Sequence, residues 1–449
     1  MDNLSHTVAG LLAGELLHHS LPAEADARRQ GVRRSLMLAT CALASNFPDL
    51  DLVLTPLLPA PLGYLLHHRG HTHTLLYAIP QAMVLALLLY LLWPSARRLL
   101  RESASARAGF GLAIGVGFGL HLLMDYLNSY GIHPFHPFHS GWVFGDMVFI
   151  LEPVFWVAFG IPMVMTLRRP TLRWLLLSAS ALALGFLAWR GYLAWQSLAA
   201  LLAAGAAMAM AGKPGSRRPA LALPLAAAML GLAFVGVQAL ASGQARAAMA
   251  RDLHARDPKA VLLDAAMSPY PANPACWNFV AVESRVDTGQ YRISRGVLSL
   301  APQAMPVPAC PPAFAQTPQP LQPLQPSQAL QPSQSLQPDR QAQIQPASLA
   351  LVMMSQHDYS LERLRRLAED DCYLRDWLRF GRMPALDADS VSDARFSGSP
   401  MGNFSTMTLP QAGRRACLSG VPQWNMPRAD LLGASSPAAP ASAPAAARD

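Results

Sequence analysis

The sequence predicts an all-α polytopic membrane bundle of about seven or eight apolar helices, followed by a C-terminal α+β periplasmic domain interrupted by a disordered Pro/Gln segment. Three observations lead there. Hydrophobic residues make up 52% of the 449 positions and charged residues only 14%, where a soluble domain carries roughly 25%. The charge deficit is concentrated in residues 1–241, where apolar runs of spanning length recur and lack the polar face of a soluble helix. Basic residues fall between those runs in alternate loops.

The apolar stretches lie at about 4–20, 36–58, 74–94, 109–128, 143–167, 172–189, 193–211 and 220–241. The first is short, and Asn46-Phe47-Pro48-Asp49 interrupts the second. Broken backbone at membrane depth is tolerated only where protein buries it or it lines a wet cavity. Alternate loops carry Arg28, Arg29, Arg33 and Arg34, then Arg97, Arg98, Arg101 and Arg107, then Arg168, Arg169 and Arg173, then Lys213, Arg217 and Arg218; the others carry Arg69 and Arg190. The positive-inside bias places the first set in the cytoplasm and everything after residue 241 on the far side, in the periplasm. The net charge of +8 is therefore a topology signal, and no nucleic-acid partner is expected. No cleavable signal peptide is expected either, since the N-terminus lacks a basic n-region and a small-residue cleavage site.

Residues 242–300 and 349–432 read as the exported soluble domain. Trp277–Glu283 and Tyr291–Leu300 are strand-like and joined across Asp287-Thr288-Gly289, a hairpin signal. Ser360–Phe380 has helical periodicity, and Asp393–Leu409 returns to short strand-like pieces. Residues 301–348 repeat Leu-Gln-Pro and bury too little to fold, so they read as a disordered insertion, and 433–449 as a disordered tail. Cys276, Cys310, Cys372 and Cys417 all fall in the exported part, where two disulfides with three possible connectivities are available. Cys41 lies in a membrane segment.

Ionisable groups in membrane segments are costly and mark function more often than chance. Here they converge on the non-cytoplasmic side: His6, Asp49, Asp51, the run His67-His68-Arg69-Gly70-His71-Thr72-His73, His121, Asp125, Asp146 and Glu152. His121 and Asp125 are four apart and share a helix face. Asp49 and Asp51 follow a proline and can aim the same way. Imidazole with carboxylate suits zinc first, with manganese or iron as alternatives. Such an ion lowers the pKa of bound water to about 7 and supports hydrolysis. The expected ligands are His6, Asp49, Asp51, His68, His73, His121 and Asp125. Asp51 and His68 are also candidate catalytic groups, and Arg69 is placed to bind a substrate phosphate or carboxylate in its planar fork. His67, His71, Thr72, Asp146 and Glu152 are candidates for a supporting shell. Each feature also has a plainer reading as a cap, a wet loop or an intramembrane hydrogen-bonded pair. His133, His136 and His139, in a Pro-rich loop, read as structural.

His6, Pro48-Asp49-Leu50-Asp51, His68-Arg69-Gly70-His71-Thr72-His73-Thr74 and His121–Asp125 together resemble the YdjM/YbcI family of inner-membrane proteins. Thr74 stands where that family usually has Ser, which keeps the hydroxyl. The resemblance covers about residues 1–165, the expected membrane-embedded core. It is weaker over the additional spans of 166–241 and over the exported domain, where Asn273–Trp277 and Arg379–Pro384 are similar to segments of longer members. It implies a metal-dependent hydrolase. A fainter similarity to zinc-dependent phospholipase C points toward phosphoesters or lipids. The family's LexA-binding label meets only short Arg-rich loops on the cytoplasmic side.

The leading functional expectation is metal-activated hydrolysis of an ester or phosphoester in a lipid or envelope substrate, with membrane lipids and a small-molecule or lipid substrate as partners. An ion or metal transporter is the alternative, and inverted repeats that would favour it are not evident. A non-catalytic envelope regulator or scaffold using the exported domain is the third.

Overall fold

In the computed structural model, the described residues are 1–213, 220–314, 350–397, 403–410 and 416–433. The N-terminal half is helical: α1 (Asn3–Ser20), α2 (Ala27–Ala44), α3 (Leu62–His67), α4 (Leu75–Leu92), α5 (Pro94–Glu102) and α6 (Ala104–Tyr126). Further along come α7 (Pro153–Met165), α8 (Pro170–Trp189), α9 (Trp195–Ala211) and α10 (Ala222–Arg256). Asp2, Asp26, Thr74 and Ser103 cap α1, α2, α4 and α6 by accepting from backbone N–H groups two or three positions into each helix.

Helices α1, α2 and α6 pack tightly because small residues let their backbones approach. A Cβ at Gly10 would meet Cys41 O at 2.7 Å, and one at Gly117 would meet the Ala44 Cβ at 2.4 Å. Helix α4 instead leaves Ile79, Met83, Leu87 and Leu91 exposed along one stripe, as a lipid-facing helix does. The basic residues gather at one end of the bundle: Arg33 donates to Ser105 Oγ at 3.0 Å, and Arg29 pairs with Glu102 at 2.6 Å. The starts of α1 and α4 and the ends of α2 and α6 lie at the other end, where the His/Asp residues are.

Five helical segments among the described residues are long and apolar enough to cross a membrane: Ala27–Leu57, Leu75–Leu92, Ala104–Tyr126, Pro170–Trp189 and Ala222–Arg256. This is fewer than the seven or eight expected. Helices α7 and α9 are shorter apolar helices. The stretch 143–167 is helical only from Pro153, because residues 143–152 spend their polar groups on contacts to the C-terminal domain. Helix α10 has 35 residues, so at 1.5 Å per residue it is about 50 Å long, more than the roughly 30 Å of a hydrocarbon core.

The far end of α10 belongs to the C-terminal domain. Strands β1 (Val261–Tyr270), β2 (Asn273–Arg285), β3 (Gln290–Ser299) and β4 (Leu351–Ser360) form an antiparallel meander in that order. The β2–β3 hairpin turns on Gly289 in the left-handed region (φ 65°), with Arg285 opposite Gln290. Successive residues of β2 point to opposite faces. Trp277, Phe279 and Ala281 pack on Ala245, Met249 and Leu253 of α10. Val280 and Val282 join a larger core with α11 (Leu361–Asp370) and α12 (Cys372–Trp377). That core also takes in Leu58, Leu62, Leu65, Leu66 and Tyr130 of the membrane half, so the domain sits against the His/Asp end of the bundle. A small sheet of β5 (Pro384–Leu386), β6 (Ser390–Asp393) and β7 (Met407–Thr408) completes it.

Buried ion pairs reinforce this junction. Arg382 donates to Asp146 Oδ1 and Oδ2, both at 2.8 Å, and to Asp264 Oδ2 at 2.8 Å. Arg395 pairs with Asp393 and donates to the carbonyls of Ser129 and Tyr130 at 2.8 and 3.1 Å.

The disulfides are Cys276–Cys310 and Cys372–Cys417, and Cys41 is free and buried. Such bonds fit an oxidising, extracytoplasmic side. The first bond extends the ordered chain beyond the expected boundary at 301: residues 301–314 form turns on the β2 end of the domain, with Cys310 buried. The remainder of the Pro/Gln segment and the tail beyond Gly433 lie outside the described residues.

Candidate metal centre

Four separate elements deliver the cluster. His6 lies one turn into α1. Helix α2 stops at Ala44, and Pro48, which has no N–H to donate, sets the chain into a 3-10 turn over Phe47–Leu57. That turn buries Asp49 and Asp51 and leaves Leu50, Leu52 and Val53 exposed. A second short turn, His71–His73, ends at the Thr74 cap of α4. His121 and Asp125 lie on one face in the last turns of α6.

One ligand atom from each of Asp49, His73, His121 and Asp125 lies within 4.8 Å of all the others. His73 Nε2 is 3.4 Å from Asp49 Oδ1 and 3.2 Å from Asp125 Oδ2. His121 Nε2 is 3.5 Å from Asp125 Oδ2 and 2.9 Å from His73 Nε2. The other ring nitrogens are held from behind. His121 Nδ1 lies 2.8 Å from the Ser45 carbonyl, so it carries the proton and leaves Nε2 a lone pair. His73 Nδ1 sits 3.2 Å from Asp51 Oδ2 and 3.0 Å from Thr72 Oγ1. A carbonyl or carboxylate behind each imidazole is the arrangement that orients metal-binding histidines.

The residues fit a divalent cation. Asp125 Oδ2 and both ring nitrogens of His6 are buried with no hydrogen-bond partner, a costly condition that a cation in their midst relieves. Burial alone would push the His73 pKa down, but its bonds to Asp125, Asp49 and Asp51 override this and raise it to about 10. Carboxylates that favour the charged imidazole would favour a cation for the same electrostatic reason. Two imidazoles and two carboxylates suit a transition metal such as zinc.

The other expected residues surround these four. His6 stacks on His121 with ring centres 4.3 Å apart, its Nε2 3.4 Å from Asp125 Oδ1. Asp51 accepts from the Arg69 N–H at 3.0 Å and from the Thr72 hydroxyl at 2.7 Å, and it lies 3.0 Å from His68 Nδ1. Asp51 and His68 thus stand behind and beside the four-atom group. Arg69 is buried and turned inward: its guanidinium donates to Asp125 Oδ1 at 2.9 Å and to Asn128 Oδ1 at 3.1 Å. His67 and His71 line the same loop outside the cluster. Asp146 serves the ion pairs with Arg382 and Arg246, and Glu152 accepts from the N–H groups of Val154 and Ala272, so neither joins the centre.

These residues fall within the region that matches a known family. Residues 1–196 match the YdjM inner membrane protein family. The match therefore covers the whole His/Asp cluster and none of the C-terminal domain. The uncharacterized protein YfhP of Bacillus subtilis (strain 168) is similar at 27% identity over 158 residues, 35% of this chain and 44% of that protein. The aligned region thus spans less than half of that relative's length. No solved structure matches the chain.

Several groups at the YdjM-region centre were not singled out from sequence. The amino group of Met1 donates to Asp125. The Tyr130 hydroxyl and Asn128 Nδ2 are buried donors without acceptors, and the expected Arg69 lies 4.5 Å over the Tyr130 ring. From the exported domain, Phe404 packs on Tyr64 at 5.2 Å and Trp424 lies 5.3 Å from His71. The Asn128-Ser129-Tyr130 string follows Asp125 closely enough to have been a clue; Phe404 and Trp424 left no signal.

Proposed function

We propose that this chain is a membrane-bound metal-dependent hydrolase that cleaves an ester or phosphoester of a lipid or envelope substrate. The observation that carries the reading is the convergence of Asp49, His73, His121 and Asp125 within 4.8 Å at the end of the bundle opposite the arginines. A divalent ion held by these four supplies Lewis acidity and makes water acidic enough to yield hydroxide near neutral pH.

The chain's own residues account for the rest. Asp51 holds His68 through Nδ1, which leaves the opposite ring nitrogen, on a partly exposed side chain, to take a proton from the attacking water. Arg69 fixes the orientation of Asp125. The unpartnered Tyr130 hydroxyl and Asn128 amide offer hydrogen bonds to an anionic substrate oxygen, and such preorganised donors are worth most where water is excluded. A lipid substrate is favoured by the Phe47–Leu57 turn, whose Leu50, Val53 and Leu57 are exposed beside buried Asp49. That alternation joins the centre to an apolar surface.

Metal analysis of the purified protein, followed by a panel of phospholipids and soluble phosphoesters, tests the proposal. Wild type is expected to carry a stoichiometric transition metal and to release product. The His73→Ala/Asp125→Ala variant loses one ion per chain and the activity. Absence of stoichiometric metal, or an unchanged metal content in that variant, overturns the reading.

A further inference from the structure

We infer that His71, His133 and His136 form a second transition-metal site, capped by Trp424 and adjacent to the first. The inference does not depend on the reaction proposed above. His71 comes from the turn that also carries His73; His133 and His136 come from the loop after α6. His136 faces both others, with ring centres 5.3 Å from His71 and 5.9 Å from His133. Three imidazoles around one ion at metal–nitrogen distances of about 2.1 Å have ring centres roughly 5 Å apart, close to the two separations at His136.

Two further observations point to a ligand. His133 is fully buried, yet neither of its ring nitrogens has a hydrogen-bond partner. Buried imidazoles are normally satisfied on at least one nitrogen, and the rings of Trp142 and Trp424, at 4.7 and 4.5 Å, satisfy neither. Trp424 Nε1 is also buried and unpartnered, which suits a small acceptor in a fourth, non-protein position. His136 Nδ1 is already held at 2.8 Å by the Ser140 hydroxyl, leaving Nε2 for an ion. An all-imidazole set selects zinc, copper or nickel over magnesium or calcium.

The test loads the purified full chain with Co²⁺ or Cu²⁺ and counts ions retained after gel filtration. Two equivalents are expected in wild type. His133→Phe/His136→Phe, which keeps ring volume, retains one; Asp49→Asn/His121→Ala also retains one, by losing the other. The second Cu²⁺ equivalent is expected to quench tryptophan emission in wild type and to lose at least half of that effect in Trp424→Phe, a reading that needs no histidine variant to fold. Retention of one equivalent in wild type, of two in His133→Phe/His136→Phe, or quenching unchanged by Trp424→Phe overturns the second site. Loss of metal only from Asp49→Asn/His121→Ala leaves the first centre standing and removes the second.

Discussion

Replacing Arg382 with Met should loosen the C-terminal domain from the His/Asp end of the bundle, and the loss should depend on pH. Arg382 is buried and spans Asp146 of the membrane half and Asp264 of β1, each at 2.8 Å. Removing one partner of a buried pair costs about 3–5 kcal/mol, because the opposite charge stays behind uncompensated. Here the lower end applies, since Asp146 keeps Arg246 at 2.7 Å and Asp264 keeps Arg428 at 3.5 Å. Burial alone would raise the Asp264 pKa, but Arg382, joined by Arg428, holds it down at about 2 against the usual 3.8. At about 1.4 kcal/mol per unit, that depression contributes roughly 2 kcal/mol. For a depressed carboxylate the contribution is complete above pH 4 and disappears as pH falls toward 2. Unfolding midpoints of detergent-solubilised wild type and Arg382→Met, followed by tryptophan fluorescence, should therefore differ most at pH 7 and draw together as pH falls from 4 toward 2. Equal midpoints at pH 7, or a gap that does not narrow in acid, would refute the reasoning.

Arg69→Lys should weaken zinc binding by about 10–100-fold, the usual cost of losing a group that orients a ligand. A lysine is a single point donor and cannot hold both Asp125 and Asn128 as the fork does; competition with a fluorescent chelator measures the change, and unaltered affinity would count against a positioning role. Cys417→Ser should cost about 2–4 kcal/mol, the range for opening a disulfide, here one of sequence separation 45. Proteolysis should then cut within 416–428, the strap that carries Trp424; equal protease resistance in wild type and variant would mean that packing alone holds the strap.

The candidate metal centre was legible because membrane segments tolerate few polar groups, so His121 and Asp125 in an apolar run stand out without any structure. Their spacing of four, with Pro48 ahead of Asp49, gave the local geometry, and the arginine count separated them from the end of the bundle that holds Arg29 and Arg33. What could not be read was which atoms point inward. Arg69 looks like a substrate clamp in sequence, yet its left-handed backbone (φ 59°) turns the side chain in toward Asp125. The stretch 143–167 looks like one span, but its first residues bring Asp146 to Arg382 and Glu152 to the Ala272 N–H, partners far along the chain. Trp424 and Phe404 were invisible for the same reason, since they reach the centre only through the tertiary fold.

That long-range arrangement explains why charge is used at a junction that apolar contact already holds. Leu58, Leu62, Leu65 and Leu66 supply adhesion to the exported domain, but apolar surfaces tolerate sliding, whereas buried ion pairs do not. Arg395 grips the carbonyls of Ser129 and Tyr130, and Phe380 packs on the Tyr130 ring at 5.2 Å. Tyr130 in turn lies under Arg69, and Arg69 holds Asp125. Each link is a direct contact, so the position of a candidate metal ligand in the last turn of α6 is set in part by an arginine of the C-terminal domain. The domain lies outside the family match, yet by this chain of contacts it is a structural component of the centre that the match contains.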